Sequence, residues 1–599
     1  MTSTNQIGSS SALEELNVRL CGSVRILPPE HHAVYTIPVA VVLSVVLKPL
    51  LTRLDLYKIC FLITVAVIYT IPWDSYLIRS GIWSYPPDVI LGPKLFSIPA
   101  EELFFFVIQT YITTLLQILL NKPVLFAVHL QNEALPASRH LLVKRRTGQT
   151  IFALLIGLSL LPQFRNAEGT YMKLIILWLR LKTWLVIWLP TLYLWIVDTL
   201  ALKRGTWSIT SGTKLGIHVW PHLEIEEAVF FLATNTLVAW GCFAFDNAVA
   251  ILDAFPDQFS SVPGTPSPLL LIKSLLLPTS SYDQKRLQGI QKGLDVLAKK
   301  SRSFYLASGV FNGRLRIDLI LLYGFCRVAD DLIDDAPNAK EAQDWIDRFT
   351  AYLNAAYAKS ESRQGLQTSL EGFPPDARSI LELLPVDRLP PKPLYELLEG
   401  FKIDLRFSTQ DENPIKTSAD LKRYATCVAA TIGELCLSLV YYHDTDHASG
   451  DDKKERCIAA GARMGRALQY TNITRDVTTD AKVGRCYIPA EWLRNGSLKT
   501  TSETDIVQLR KRILDMAFSI YSEERDAIED LPSYARDGIR VAVESYMEIA
   551  RVLDHRIQHG ENLDFAGGGK KGKASVPKLR RLIVGWRAMS GIRGHTGDR

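Results

Sequence analysis

Asp330 and Asp334 stand four residues apart in the segment Tyr323-Gly-Phe-Cys-Arg-Val-Ala-Asp-Asp-Leu-Ile-Asp-Asp335, and Asn472, Asp476 and Asp480 repeat that spacing twice. Residues at i and i+4 of a helix share a face, so each set would present its oxygen atoms side by side. Like charges one turn apart repel, and a counter-cation is expected at each. Hard oxygen donors suit magnesium, or manganese in its place, and magnesium keeps part of its shell for waters and substrate phosphate oxygens. Two such helices facing each other would hold metal ions between protein and diphosphate, with Arg302, Arg327, Arg475, Lys482 and Arg485 to neutralise the remaining charge. Departure of diphosphate from an allylic carbon leaves a carbocation, which an apolar helical cavity would shelter from water. One Asp-x-x-x-Asp alone describes many solvated helix faces. Two sets, with an Asn member and adjoining arginines, describe a site.

A second carboxylate pattern lies nearer the N-terminus. Glu101-Glu102 opens one apolar run of 18 residues, and Glu226-Glu227 opens another, at an offset of 125. Asp74, Gly81, Trp83 and Ser84 recur as Asp198, Gly205, Trp207 and Ser208 at an offset of 124. Phe105-Phe106 and Phe230-Phe231 share the 125 offset. So many matched positions indicate two copies of a unit of about three helices, spanning about 33–121 and 150–246. An odd number of spans per copy leads to the expectation that the copies are inverted across a bilayer. Ionised carboxylates at membrane depth are costly and often mark function. A desolvated carboxyl stays protonated and can act as an acid, and Trp83 and Trp207 could stabilise the cation that its proton creates. The same glutamates would also serve as N-terminal helix caps at the interface, and the residues alone leave both readings open.

The elements that position these groups divide the chain of 599 residues unevenly. Apolar segments free of charge fall at 33–47, 59–73, 103–120, 151–164, 183–197 and 228–245, the longest on the scale of a membrane span. Residues 1–32 are polar and do not resemble a cleaved signal peptide. The basic loop with Arg139, Lys144, Arg145 and Arg146 and a soluble C-terminal half would both favour the cytoplasm, yet three spans between them would separate them. A seventh span or re-entrant segment, with 170–200 as one candidate place, would remove the conflict. Residues 255–268, FPDQFSSVPGTPSP, read as a linker between a membrane region at 1–254 and a charged, helix-patterned region at 269–599. The fold class expected is all-α on both sides of it. Net charge is +6, from 68 basic against 62 acidic residues, too mild to argue for nucleic acid. Eight cysteines without a CxxC suggest neither a disulfide framework nor a zinc site. The run Gly567–Lys573 nearly spells a phosphate loop, but Ala574 stands where Ser or Thr should be, and no strand precedes it.

The C-terminal region resembles the phytoene/squalene synthase family over nearly its whole length. The likeness is carried by Ser301-Arg-Ser-Phe-Tyr305, the Asp330 segment, Glu399-Gly-Phe-Lys-Ile-Asp404, Leu421-Lys-Arg-Tyr424, Thr431-Ile-Gly433, Asn472–Asp480 and Gly484-Arg-Cys-Tyr-Ile-Pro489. The N-terminal region resembles the small membrane lycopene cyclases through Pro72-Trp-Asp-Ser75, Gly81-Ile-Trp-Ser84 and Pro99-Ala-Glu-Glu102. Together they are similar to the fungal bifunctional lycopene cyclase/phytoene synthases. That resemblance implies an isoprenoid-synthase fold after the linker, joining two geranylgeranyl diphosphates head to head into phytoene through a cyclopropyl diphosphate. Carried onto this chain, it implies Asp330 and Asp334 as one metal cluster and Asn472, Asp476 and Asp480 as the other. Ser303, Phe304, Tyr323, Arg327, Tyr424, Arg475, Arg485 and Tyr487 would line the diphosphate site or cavity.

For the membrane region the resemblance implies protonation of a linear carotene end, ring closure and proton loss, giving β-rings without consuming NADPH or flavin. Glu101, Glu102, Glu226 and Glu227 are the candidate acids; the second copy reads Leu223-Glu-Ile-Glu-Glu227 without the proline, so Glu101 and Glu102 are preferred. A multi-pass membrane enzyme with its synthase half in the cytosol is implied, the endoplasmic reticulum being one option. A carotene desaturase is expected as a partner, because desaturation must intervene between the two reactions. The competing expectation is a squalene synthase-like enzyme, dependent on a nicotinamide reductant, carried on a membrane anchor or a proton-coupled transporter-like domain.

Overall fold

The computed structural model describes residues 35–85, 92–131 except 123, 181–561 with breaks at 206, 359–362, 410–412 and 445–449, and then 563 and 576–591. The apolar segment 151–164, the basic loop around Arg139 to Arg146 and the Gly567–Lys573 run lie outside the described residues. The chain forms two compact units. The first comprises residues 1–121 and 149–245, and the second 122–148 and 246–599.

The first unit contains helices α1 (Ile37–Leu47), α2 (Arg53–Arg79), α3 (Ala100–Asn121), α4 (Leu181–Lys203) and the beginning of α5 (Ile225–Ala254). Short strands β1 (Trp83–Ser84), β2 (Lys94–Leu95) and β3 (Ile98–Pro99) join α2 to α3; β4 (Ser208–Ile209), β5 (His218–Trp220) and β6 (Leu223–Glu224) join α4 to α5. Helix α2 starts at a capping box, in which Thr52 and Asp55 satisfy each other's backbone donors. Its Val65, Ile68, Tyr69, Trp73 and Tyr76 face outward, while Thr113, Thr114 and Gln117 of α3, Thr191 of α4 and Asn235 of α5 are buried. Apolar outside and polar inside is the distribution a bilayer rewards, since buried side chains can bond one another there. Helices α2 to α5 are long and apolar enough to cross a membrane.

The two copies recognised in the sequence meet about a pseudo-two-fold axis. Ser84 pairs with its own counterpart Ser208 across β1 and β4, their hydroxyls 3.1 Å apart. Gln109 Nε2 donates to the hydroxyl of its counterpart Thr234 at 3.0 Å. Positions that touch their own equivalents lie on the axis. Along α3 and α5 the contacts climb together: Phe105 with Phe231, Gln109 with Thr234, Thr113 with Asn235 and Thr114 with Cys242. The two helices therefore run parallel, and the expected inversion does not occur. The axis follows the helices, the parallel-repeat arrangement. Lys58 near the start of α2 meets Gln117 near the end of α3, and Thr191 with Asn235 followed by Trp195 with Ala228 run in opposite senses along α4 and α5, so α2 and α4 run against their partners. Helices α3 and α5 thus end on one face of the first unit.

In the second unit the helices are α6 (Pro268–Leu275), α7 (Gln284–Lys300), α8 (Arg302–Ser308), α9 (Gly313–Asp334), α10 (Ala339–Tyr357), α11 (Arg363–Glu371), α12 (Pro375–Leu381), α13 (Pro391–Thr409), α14 (Ser418–Ala425), α15 (Thr431–Tyr442), α16 (Asp451–Lys482), α17 (Glu503–Glu524), α18 (Ser533–Gln558) and α19 (Lys578–Met589). All-helical architecture holds on both sides, as expected. In α9, Leu322, Phe325, Ala329 and Ile333 form a buried stripe, which turns Arg327, Asp330 and Asp334 to the other side. A π-helical turn, Thr426–Ala430, joins α14 to α15. The stretch Ser418–Tyr442 is also apolar enough to cross a membrane. Leu421, Tyr424, Leu435, Leu437, Leu439 and Val440 instead belong to the core of the second unit, which accounts for that hydropathy.

Helices α15 and α16 cross at backbone contact. A Cβ on Gly433 would stand 2.3 Å from the carbonyl oxygen of Gly461, and one on Gly465 the same distance from that of Ala429. This close crossing fixes the helix that carries Asn472, Asp476 and Asp480. Gly465→Val is expected to cost about 1–3 kcal/mol through forced backbone displacement. Thermolysin digestion of the full chain over a temperature series checks it: cleavage within the second unit should begin several degrees lower than in the unsubstituted protein.

Candidate active sites

Helix α9 delivers its carboxylates against arginines. Arg327 contacts Asp330 at 2.7 Å and Asp331 at 2.6 Å, and Asp331 also receives Lys300 at 2.9 Å. Asp334 accepts from Arg485 Nη2 at 2.7 Å, tying the end of α9 to the loop after α16. Burial and the neighbouring Asp334 charge push Asp330 up to about 6, with Arg327 opposing them. On α16, Arg475 Nε donates to Asp476 at 2.8 Å. Burial disfavours the Arg475 charge, but its bond to Asp476 outweighs that and holds the guanidinium protonated; Asp334 does the same for Arg485. Helix α15 packs against both α9 and α16. Arg302 and Lys482 are exposed.

Arg485 leads from the surface to a buried cluster. Asp404, buried, accepts from Tyr487 at 2.7 Å and Tyr424 at 3.1 Å, and the two phenol rings stack 4.6 Å apart. Burial pushes Asp404 up to about 7, against the pull of Arg485 and both hydroxyls. A second aromatic group gathers at Phe304, stacked on Tyr546 at 5.1 Å and set edge-on to Tyr323 at 6.1 Å, with Ser303 buried beside it. Tyr546 is also a hydrogen-bond partner of Arg475. Asp404 and Tyr546 escaped the sequence reading because their partners come from other helices.

Whether these residues suit divalent cations can be judged from the donors. Among the described residues no three His, Cys, Asp or Glu side chains gather as a protein-only cage. Two carboxylates per cluster suit a cation whose other ligands are waters and phosphate oxygens. Asn472 adds an oxygen, Oδ1, that is buried without a hydrogen-bond partner. The donor set therefore fits hard divalent cations.

The first unit gathers carboxylates from both copies. Glu102 lies close enough to feel the charges of Asp74, Asp198 and Glu227. Asp74, Asp198 and Glu227 are 0%, 7% and 4% exposed, which places them in the interior of the helix bundle. The Tyr85 hydroxyl donates to Glu102 Oε2 at 3.1 Å, and the Trp207 indole to Asp198 Oδ1 at 3.2 Å. Aromatic rings close round them: Trp83 meets Trp207 at 6.2 Å and Phe230 at 5.9 Å. Glu226 takes the backbone N–H of Leu215 at 2.6 Å, and Glu224 pairs with Lys214. The predicted glutamates thus part company: Glu102 and Glu227 join the cluster, whereas Glu226 braces the loop before α5. Asp74, Asp198 and Tyr85 complete the cluster; the sequence marks the aspartates only as landmarks of the repeat.

The sequence model of the squalene/phytoene synthase family matches residues 297–573. Proteins named bifunctional lycopene cyclase/phytoene synthase are similar almost end to end. That of Pyrenophora tritici-repentis is 46% identical over 585 residues, 93% of this chain and 98% of that protein. That of Gibberella fujikuroi is 46% identical over 591 residues, and that of Neurospora crassa 43% over 599, with the same coverages. A crystal structure of a dehydrosqualene synthase is similar at TM-score 0.40 and 20% identity, covering 51% of this chain and 96% of that one.

Proposed function

Because the chain belongs to the bifunctional lycopene cyclase/phytoene synthase family, we propose that it condenses two geranylgeranyl diphosphates to phytoene and closes β-rings on the ends of lycopene. The observation that carries this reading is likeness over 93% of the chain, which spans both carboxylate sites at once. The domain assignment follows the same division: residues 1–254 for ring closure, 255–268 as linker and 269–599 for condensation.

In the condensation, Asp330 with Asp334, and Asn472 with Asp476 and Asp480, would hold divalent cations, magnesium being the best match to all-oxygen donors. Bound there, the cations would supply charge neutralisation to a departing diphosphate. The chain's own side chains do the rest. Arg327, Arg475 and Arg485 are held protonated, each already paired with an aspartate, so each can turn its remaining donors to phosphate oxygens. Tyr424, Tyr487, Phe304, Tyr323 and Tyr546 wall the isoprenoid chains, and their ring faces favour a transient cation over water.

In the cyclisation, the buried carboxyls of the first unit would give a proton to a terminal double bond and take one back after closure. Trp83, Trp207 and Phe230 face the cation between those events. Nothing is oxidised or reduced. The linear carotene must be desaturated between the two reactions, so a separate redox enzyme is the expected partner, and both hydrocarbons would travel in the bilayer that α2 to α5 cross.

The test uses full-length protein in membranes. Geranylgeranyl diphosphate with magnesium and no NADPH should yield phytoene, and lycopene supplied to the same membranes should yield a ringed carotene. Squalene-type product that needs NADPH, or lycopene returned unchanged, would overturn the respective half.

A further inference from the structure

Asp74 is the most completely isolated ionisable group described in the first unit. Its residue is 0% exposed, and neither carboxylate oxygen has a hydrogen-bond partner. Burying such a group without a partner costs several kcal/mol, so a fold retains it only against a compensating use. Its counterpart shows that the cost is avoidable. Asp198 sits at the equivalent position, with a tryptophan nine residues on in each copy, and there the Trp207 indole bonds the carboxylate. Trp83 makes no such bond to Asp74 and packs instead on Trp207 and Phe230. Had the aspartate served only to brace the tryptophan, both copies would show the bond.

The copies also differ beside the glutamates. Tyr85 bonds Glu102, while the equivalent position in the second copy is Ile209, an apolar residue in the cluster with Trp83. Tyr85 in turn lies within reach of the Asp74 charge. One copy thus holds an unpartnered carboxyl, a phenol and a second carboxyl in electrostatic contact beneath aromatic rings. The other copy has its aspartate tied to an indole.

We propose that Asp74 is the catalytic acid of ring closure, acting with Glu102 as the base. The inference rests on the cyclase reading above. The Asp74 proton adds to the less substituted carbon of the terminal double bond, leaving a tertiary cation. The electron pair of the next double bond along the chain attacks that cation, closes the six-membered ring and moves the charge to a ring carbon. A proton leaves the adjacent carbon to Glu102, and the pair of electrons it leaves becomes the ring double bond. One proton enters the hydrocarbon and one departs, so the carboxyl pair holds the same number before and after. Passage of that proton back to Asp74, with Tyr85 beside both groups, resets the site.

The experiment compares full-length protein, Asp74→Asn and Asp74→Glu in membranes supplied with lycopene, in H2O and in D2O. Asparagine keeps the shape and removes the acid, so kcat for ring formation should fall at least about 100-fold with KM nearly unchanged. Glutamate should restore part of the rate. Each ring formed in D2O should carry one deuterium. Phytoene formation by the same preparations should be unaffected, which excludes gross misfolding. Ring formation by Asp74→Asn within about threefold of the unsubstituted rate, or a rise in KM with kcat retained, would overturn the assignment. Absence of ring formation by the unsubstituted protein would instead remove the cyclase reading on which it stands.

Discussion

Asp476→Asn is expected to lower phytoene formation by about 100- to 1,000-fold, the scale set by removing one preorganised electrostatic group from a transition state, while ring closure on supplied lycopene continues. The substitution keeps volume and helix position, so the loss reports charge. Asp476 sits on a helix locked by the glycine crossings at Gly433 and Gly465, and it holds Arg475 through two hydrogen bonds. Without the carboxylate, a cation would lose one of its hard ligands and Arg475 would lose the partner that orients it. Asp330→Asn should act alike. Asp331→Asn makes the control, since Asp331 is paired with Lys300 and Arg327 and stands outside the i, i+4 spacing. It should cost less than about tenfold. Phytoene yield across a magnesium titration checks all three. Near-normal synthesis by Asp476→Asn and Asp330→Asn would end the metal-cluster assignment.

The parts of this architecture that show in the sequence are those written in local spacing. The i, i+4 carboxylates, the apolar runs and the 124- and 125-residue offsets all depend on residues close together or on exact repetition; the structure places the carboxylate sets on helices as expected, and with them the apolar runs that fall among the described residues. Contacts between distant segments show poorly. Asp404 lies within a recognisable motif, yet its role at the centre of two tyrosines depends on Tyr424 and Tyr487, which come from two further elements. Asp74 and Asp198 look alike in sequence, and only the packing reveals that one carboxylate is bonded and the other is not. The expected inversion of the copies failed for a physical reason too. Counting spans assigns direction only if the connection between copies adds none, and the side-chain register from Phe105 to Thr114 shows α3 and α5 parallel. Helix direction is a matter of tertiary contact, which no hydropathy pattern records.

The same reasoning separates the paired glutamates. Neighbours in a helix point about 100° apart, so both members of Glu101-Glu102 cannot face one pocket. Glu102 is the member bonded by Tyr85 and close to Asp74, Asp198 and Glu227. Glu102→Gln is therefore expected to reduce ring formation by about 100-fold or more, the range for loss of a positioned acid or base. Glu101→Gln should cost less than about tenfold. Tyr85→Phe removes one hydrogen bond and leaves the carboxyl in place, so a loss of roughly tenfold is expected, from about 1.5 kcal/mol for a bond to a charged group. In the second copy Glu226→Gln loosens the loop held through Leu215, and it should lower thermal resistance more than rate. Chromatography of carotenes from membranes carrying each variant supplies the measurement, with phytoene from the same membranes as the reference for intact protein. If Glu101→Gln and Glu102→Gln lost activity equally, the pocket could not be the one built round Tyr85. If neither lost activity, both glutamates would return to capping the start of α3, and the base that takes the ring proton would have to be another carboxyl of the cluster.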